Sequence, residues 1–390
     1  MAEELAYVII TPYSLFKSRT GGILSRLLSR TGLELAAARM FAPSAELIRA
    51  YADLVVSPDD PQPRIVQELI REYILTRMGP DPNTGRRRRV MMLILRGEDA
   101  VRKTRAVVGD FSLDRHGGQT IRDTYGDIVS DGSGNVRYFE PAVLAAPTAK
   151  EAEVKLKLWA RYSDTDGGLL ENVIAYQPGE VPERTLVLLK PDNFRFPTGR
   201  PGNMIDFFSR TGLYIVAIKV QRMSVSQAER FYAPVRETLC RNLRNVVEMR
   251  AKAVLERELS CPIPAEQTRQ LGEILCPLVA ASQFDNIVKF MSGRALSECP
   301  PELRDAPGTE KCIALVYEGV DAVRKIRDVL GPTDPSVAPP GSIRREFGQT
   351  ILVNAAHASD SVESAQREME IINIRENNFK QLVEEFYGGL

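Results

Sequence analysis

Two histidines occur in the 390 residues. One of them, His357, stands in the run Asn354-Ala355-Ala356-His357-Ala358-Ser359-Asp360-Ser361-Val362-Glu363-Ser364-Ala365. An apolar stretch precedes the run and an amphipathic stretch follows, which predicts a strand over Thr350–Asn354 and a helix opening near Asp360. Asp360 or Ser361 is the expected N-cap, with Glu363 in the first turn. A histidine held between a strand end and a helix N-terminus sits at a mouth that favours anions. An imidazole there can take a phosphoryl group as a covalent intermediate. A capping or surface histidine has the same local signature, so the run alone assigns no reaction. The other histidine, His116, falls in a long loop and reads as an exposed loop residue.

The elements that must position His357 occur twice. Ser29-Arg30-Thr31-Gly32-Leu33 returns as Ser209-Arg210-Thr211-Gly212-Leu213, Asp99-Ala100-Val101-Arg102-Lys103 as Asp321-Ala322-Val323-Arg324-Lys325, and Thr120-Ile121-Arg122 as Ser342-Ile343-Arg344. Two copies of one domain are therefore fused. The expected layout is a first domain over 1–162, a turn-rich linker over 163–182 and a second domain over 183–390. Each copy reads as βαββαβ, an antiparallel sheet covered on one face by helices: the ferredoxin-like α/β sandwich of the α+β class. The second copy also carries two helical stretches, Arg236–Leu259 and Pro264–Phe284, broken by Cys261-Pro262-Ile263-Pro264; they read as a helical hairpin inserted at about 237–281.

Composition sets outer limits. Lys+Arg and Asp+Glu both total 51, so no global field draws the chain to nucleic acid or an anionic membrane, and phosphate binding must be local. Residues 1–7 carry two glutamates and no basic n-region, and no apolar run is expected to reach the ~18 residues of a membrane span. A cytoplasmic protein without membrane or nucleic-acid partners is the expectation. Five cysteines, odd in number and without C-x-x-C spacing, read as buried free thiols. Arg86–Arg89 reads as a solvated loop.

The His357 run resembles the N-x-x-H-G-S-D-S signature of nucleoside diphosphate kinases, with Ala358 in place of glycine. Lys190-Pro191-Asp192 matches the family's K-P-D, Glu318-Gly319 with Arg327 its W-E-G...R segment, and Gly331–Pro335 with Pro340–Arg344 its G-x-T-x-P...P-G-x-I-R loop. The resemblance covers about Arg184 to Glu370, apart from the hairpin. It implies transfer of a γ-phosphate between nucleoside tri- and diphosphates, in two half-reactions, through phospho-His357. By resemblance, Glu368 holds the imidazole, and Ser359 bonds Glu368. Arg327, Arg344 and Thr333 bind phosphates, Lys190 and Tyr232 reach the transferring group, and Asn354 contacts the sugar. Phe284 or its neighbour Gln283 stands where the family stacks the base. Mg²⁺ is implied as a bridge between phosphate oxygens rather than the occupant of a protein cage. Family members assemble from domain pairs, so the fused copies imply an intrachain pseudo-dimer, with a higher homo-oligomer as an open alternative.

In the first copy the same positions read Thr11 for the lysine, Leu144 for the histidine and Lys155 for the glutamate, while Arg105, Arg122 and Tyr51 remain. That copy is expected to transfer no phosphate. The alternative for the whole chain is a nucleotide-binding regulatory or scaffold protein with little or no turnover.

Overall fold

The computed structural model describes residues 3–111, 117–131, 133 and 136–390; His116 lies outside them. They form two compact units, Met1–Val220 with Ile313–Leu390, and Gln221–Cys312.

The larger unit is built on two four-stranded sheets. In the first copy β1 (Glu3–Ile10), β2 (Glu34–Phe41), β3 (Val90–Glu98) and β6 (Val143–Ala145) stand in the order β2-β3-β1-β6. A separate ribbon pairs β4 (Asp127–Ser130) with β5 (Val136–Glu140). In the second copy β7 (Pro182–Leu189), β8 (Tyr214–Gln221), β9 (Cys312–Val320) and β10 (Ala356–Ala358) stand in the order β10-β7-β9-β8. The two orders are the same topology, and the register repeats with it. Glu4 faces Gly97 as Glu183 faces Gly319, and Ile9 faces Leu144 as Leu188 faces His357. Both copies are ferredoxin-like α/β sandwiches. The central strands are apolar through their C-terminal halves, Tyr7–Ile10 and Leu186–Leu189, because those residues are buried on both faces of the sheet.

Local stereochemistry repeats as well. Asp99 and Asp321, each just before a helix, have φ of +57° and +56°, and Ala142 and Ala355, each just before the edge strand, have +60° and +72°. Left-handed backbone is unusual for non-glycine residues, so matched pairs mark common ancestry of shape rather than coincidence.

The copies pack on each other through the helices Thr20–Thr31 and Arg200–Ser209. Glycines set how close they come. A Cβ on Gly202 would lie 2.3 Å from the Gly21 carbonyl oxygen and 2.4 Å from the Ser25 amide nitrogen, both backbone atoms that cannot swing aside. Gly202→Ala is therefore expected to lower the unfolding midpoint by the equivalent of about 1–3 kcal/mol of overpacking. Thermal unfolding checks this; an unchanged midpoint would mean that the helices are free to separate. The C-terminal helix Asn378–Tyr387 crosses to the first copy, where Phe379 meets Phe41 edge-on at 5.5 Å and Lys380 pairs with Asp164 at 2.7 Å.

Several expectations change. No strand forms over 350–354: Gln349 and Thr350 both donate to the Val353 carbonyl, Ile351 is exposed, and the edge strand begins only at Ala356. The helix Ala149–Asp166 runs into the stretch read as linker, with Ser163 and Asp166 buried on it. The helices of the smaller unit are longer than expected, Val225–Leu259, continuous through Pro234, and Ala265–Ser292. The second is long and apolar enough, by length and composition, to cross a membrane, although Glu273, Asp285 and Lys289 lie along it, so it holds no uninterrupted apolar run of that length. Three of the four arginines in 86–89 are engaged rather than solvated: Arg87 pairs with Asp166 at 3.0 Å, Arg88 with Asp81 at 3.0 Å, and Arg89 lies over the Tyr214 ring at 5.1 Å. All five cysteines are free thiols; Cys276, Cys299 and Cys312 are buried, while Cys261 is exposed.

Candidate active site

His357 is the middle residue of β10, not a residue beyond a strand end, and its strand position aims the imidazole at the following helix, Val362–Ile371. Ser361, rather than Asp360, caps that helix by accepting the Ser364 amide at 3.0 Å. About two helical turns after that cap, Glu368 returns beneath the strand. Its Oε2 lies 2.9 Å from His357 Nε2 and accepts the Ser359 hydroxyl at 2.7 Å, while Arg367 approaches Oε1 at 3.5 Å. Glu368 is 5% exposed and the histidine 21%, so a buried carboxylate orients a partly open ring. Accepting a proton from Nε2 fixes the tautomer that carries its lone pair on Nδ1.

The residues just upstream gather the cations. Lys190 N–H donates to the Ala355 carbonyl at 2.9 Å, and its ammonium donates to Asn354 Oδ1 at 2.6 Å and to the Leu352 carbonyl at 3.4 Å. Asn354 in turn donates from Nδ2 to the Thr333 carbonyl at 3.1 Å. Arg344 bridges the Gly331 and Ala356 carbonyls at 3.0 and 3.2 Å. Lys190, Asn354, Thr333 and Arg344 are thus brought together around the three residues before His357. Arg327 is exposed on the helix Ala322–Leu330, which packs against β10. Its charge helps, after the Ser364 hydrogen bond and the backbone, to hold the Asp360 carboxyl below the usual range.

Ala358 replaces a glycine without a backbone penalty, since it sits in the regular strand and not at positive φ. Asn354 is buried and spends its amide on Lys190 and Thr333, so its place here is to seat the lysine rather than to face open solvent. Tyr232 and Phe284 lie on Val225–Leu259 and Ala265–Ser292 of the smaller unit, both buried. Phe284 is 2% exposed with the Arg236 guanidinium 5.1 Å from its ring centroid; it offers no open face to a base in this conformation, whereas Gln283 is exposed.

The sequence reading missed Asn193 and Arg200. Asn193 donates to the Ala355 carbonyl at 2.7 Å, so that left-handed residue is held by two donors, and Arg200 holds Asn193 Oδ1 at 3.2 Å. Their only signal was adjacency to Lys190-Pro191-Asp192.

Burial, and then the charge of Arg344, pulls the Lys190 ammonium down to about 7. The sign follows from proton counts. Between pH 7 and the ordinary lysine value the unfolded chain binds more protons at this position than the folded one, so stability of the nucleotide-free protein rises with pH across that window. Lys190→Met is expected to flatten the rise; denaturant unfolding at pH 7 and pH 9 checks it, and an undiminished slope in the variant would assign the effect elsewhere.

The first copy has the frame without the chemistry. Leu144 occupies the register of His357, and Lys155 is buried against Glu151 at 2.7 Å. Thr11 and Tyr73 donate to a buried Glu140 at 3.0 and 2.8 Å. Phe111 covers the Arg122 guanidinium at 3.6 Å, leaving a void of about 20 Å³, room for about one water and not for a nucleotide's phosphates. Tyr51 is buried and bonded to Tyr7 at 3.2 Å. A cavity of about 1040 Å³ lies elsewhere, between residues 169–184 and the helix Val362–Ile371, and includes neither His357 nor Lys190. Convergent hydrogen bonding, not volume, locates the chemistry.

Comparison with known proteins agrees with the second copy alone. The profile of the nucleoside diphosphate kinase family matches residues 183–249 and 301–377, leaving the first copy and 250–300 unmatched. The chain is 30% identical over 190 residues to the nucleoside diphosphate kinase of Staphylothermus marinus, covering 49% of this chain and 92% of that protein. It is 30% identical over 187 residues to that of Helicobacter pylori strain P12, covering 48% and 92%. The crystal structure of the Aquifex aeolicus nucleoside diphosphate kinase shares 30% identity, with a TM-score of 0.31, over 49% of this chain and 95% of that one. These relatives place the second copy in a family of phosphotransferase kinases. The chain belongs to the nucleoside diphosphate kinase family.

Proposed function

We propose that the protein transfers the γ-phosphate of a nucleoside triphosphate to a nucleoside diphosphate through phospho-His357. The observation that carries this reading is the Ser359–Glu368–His357 chain, in which Glu368 holds Nε2–H and so leaves the nucleophilic lone pair on Nδ1. In the first half-reaction Nδ1 attacks the γ-phosphorus, the bond to the bridging oxygen breaks, and the diphosphate leaves with the electron pair. The acceptor's terminal oxygen reverses these steps. Glu368 keeps the proton on Nε2 throughout and stabilises the positive charge that the ring develops. Lys190, Arg344 and Arg327 neutralise phosphate charge, which is most of what phosphoryl transfer asks of a protein. Mg²⁺ supplies further charge neutralisation on the phosphates. Among the described residues no three His, Cys, Asp or Glu side chains gather as a metal cage, so the ion in this proposal arrives with the nucleotide.

ATP-dependent phosphorylation of GDP, followed by a coupled assay on the full chain, tests the reading. Turnover supports it; binding of nucleotide without turnover would favour the regulatory alternative, towards which the covered Phe284 ring points.

A further inference from the structure

Within the smaller unit the helix Val225–Leu259 packs against the helix Ala265–Ser292, with Val247 buried and Gly272 close against Glu248. A second apolar row runs along another side of the first helix, about 100° around from Val247. Val235, Leu239, Asn242, Val246, Met249 and Ala253 follow one another at alternating steps of four and three residues, the repeat by which one helix winds on another. Val235, Val246 and Met249 are 38%, 47% and 63% exposed, and Asn242 and Ala253 are exposed with them. From first to last the row covers about five turns of helix, roughly 27 Å. A row of this length and repeat has the form of a seat for a further helix.

The residues that flank such a row choose its partner. Four of them carry charge, Arg236, Arg250, Lys252 and Arg257, and all four are cations. Their ion pairs, Arg236 with Glu229 at 3.6 Å, Lys252 with Glu256 at 3.7 Å and Arg257 with Glu258 at 2.9 Å, run along the same helix near its surface and hold little energy. A second copy of this row would set cations against cations, whether the two helices ran parallel or antiparallel. The other helix also turns apolar residues outward, Ile274 and Leu278, 67% and 66% exposed. Gln270 and Pro277 beside them carry no charge and specify none in a partner.

We propose that the row over residues 235–253 docks an amphipathic helix of a partner protein, one that carries carboxylates on both sides of its apolar stripe. The apolar side chains supply the contact area, and the cations select the partner. Asn242, the one polar residue of the row, sets the register by favouring a polar residue opposite it. A helix seated there adds a third to the two of the hairpin.

The test uses the full chain and two designed helical peptides of about four heptads, both with leucine along the apolar stripe, one flanked by glutamate and the other by lysine. Like charges keep each peptide from pairing with itself. Fluorescence anisotropy is expected to show the glutamate peptide binding at least about tenfold more tightly than the lysine peptide, by a margin that shrinks as salt rises. Val246→Glu with Met249→Glu should abolish that binding, while Leu278→Glu, on the other helix, should leave it intact. Arg250→Glu with Lys252→Glu should reverse the preference, a gain for the lysine peptide that a misfolded variant would not show. No binding of the glutamate peptide, equal binding of the two, binding that survives Val246→Glu with Met249→Glu, or loss through Leu278→Glu would each overturn the proposal. So would self-association of the full chain that excludes the glutamate peptide, which would make a second copy the occupant.

Discussion

His357→Ala is expected to eliminate phosphotransfer while leaving the fold intact, and incubation of the wild type with Mg·ATP and no acceptor is expected to leave one phosphoryl group per chain on His357. The expectation rests on position. The ring is partly open at a sheet edge, not packed in the core, so truncation leaves no large cavity. Loss of a nucleophile costs on the order of 10⁶ in rate in an unrelated hydrolase. The label should be acid-labile and comparatively base-stable, as a phosphoramidate is and a phosphoserine on Ser359 or Ser361 is not. Adding GDP should discharge it as GTP. Activity of the variant within about tenfold of wild type, or label on serine, would eliminate the mechanism.

Arg327→Ala with Arg344→Ala should cost about 10²–10⁴ in turnover, from two charge-assisted bonds of roughly 1.5–3 kcal/mol each. The corresponding pair in the first copy, Arg105→Ala with Arg122→Ala, should leave turnover per folded molecule unchanged. It should nonetheless destabilise, because Arg122 is buried under Phe111 and bonded to the Gly109 and Val143 carbonyls at 2.6 and 3.4 Å, so removing it leaves acceptors unpaired. Steady-state rates normalised to the folded fraction separate the two effects. Equal rate losses in both double variants would mean that the first copy takes part in turnover.

The contacts of Glu368 and Ser359 with His357 were implied by the resemblance, which is compact because the three residues lie within one strand, the short link after it and the next helix; the repeat pointed to Leu144 and Lys155 as the counterparts in the first copy. What the sequence hid depends on distant neighbours. Ile351-Leu352-Val353 has the pattern of a strand but no sheet edge to pair with, and an apolar triplet looks the same in either setting. Arg89 reads as part of a solvated run, although it packs against a ring more than a hundred residues away, and charge patterning carries no record of that contact. Phe284 is aromatic at the expected place, but exposure is a property of packing, and Arg236 covers it.

The left-handed alanines bear on what the nucleophile requires. Ala355 precedes the histidine strand with its carbonyl held by Lys190 N–H and Asn193; Ala142 has its carbonyl held in the same way by Thr11 N–H and the Ser14 hydroxyl, at 3.2 and 2.8 Å, one residue before the strand that carries Leu144. The chain therefore contains its own control experiment. A conformation kept where there is no imidazole cannot be strain held in reserve for phosphoryl transfer; it is the corner by which this sheet turns into its edge strand. Relaxing it, for example by Ala355→Gly, should act on both copies' common problem, the geometry of the corner, and only through that on the reaction.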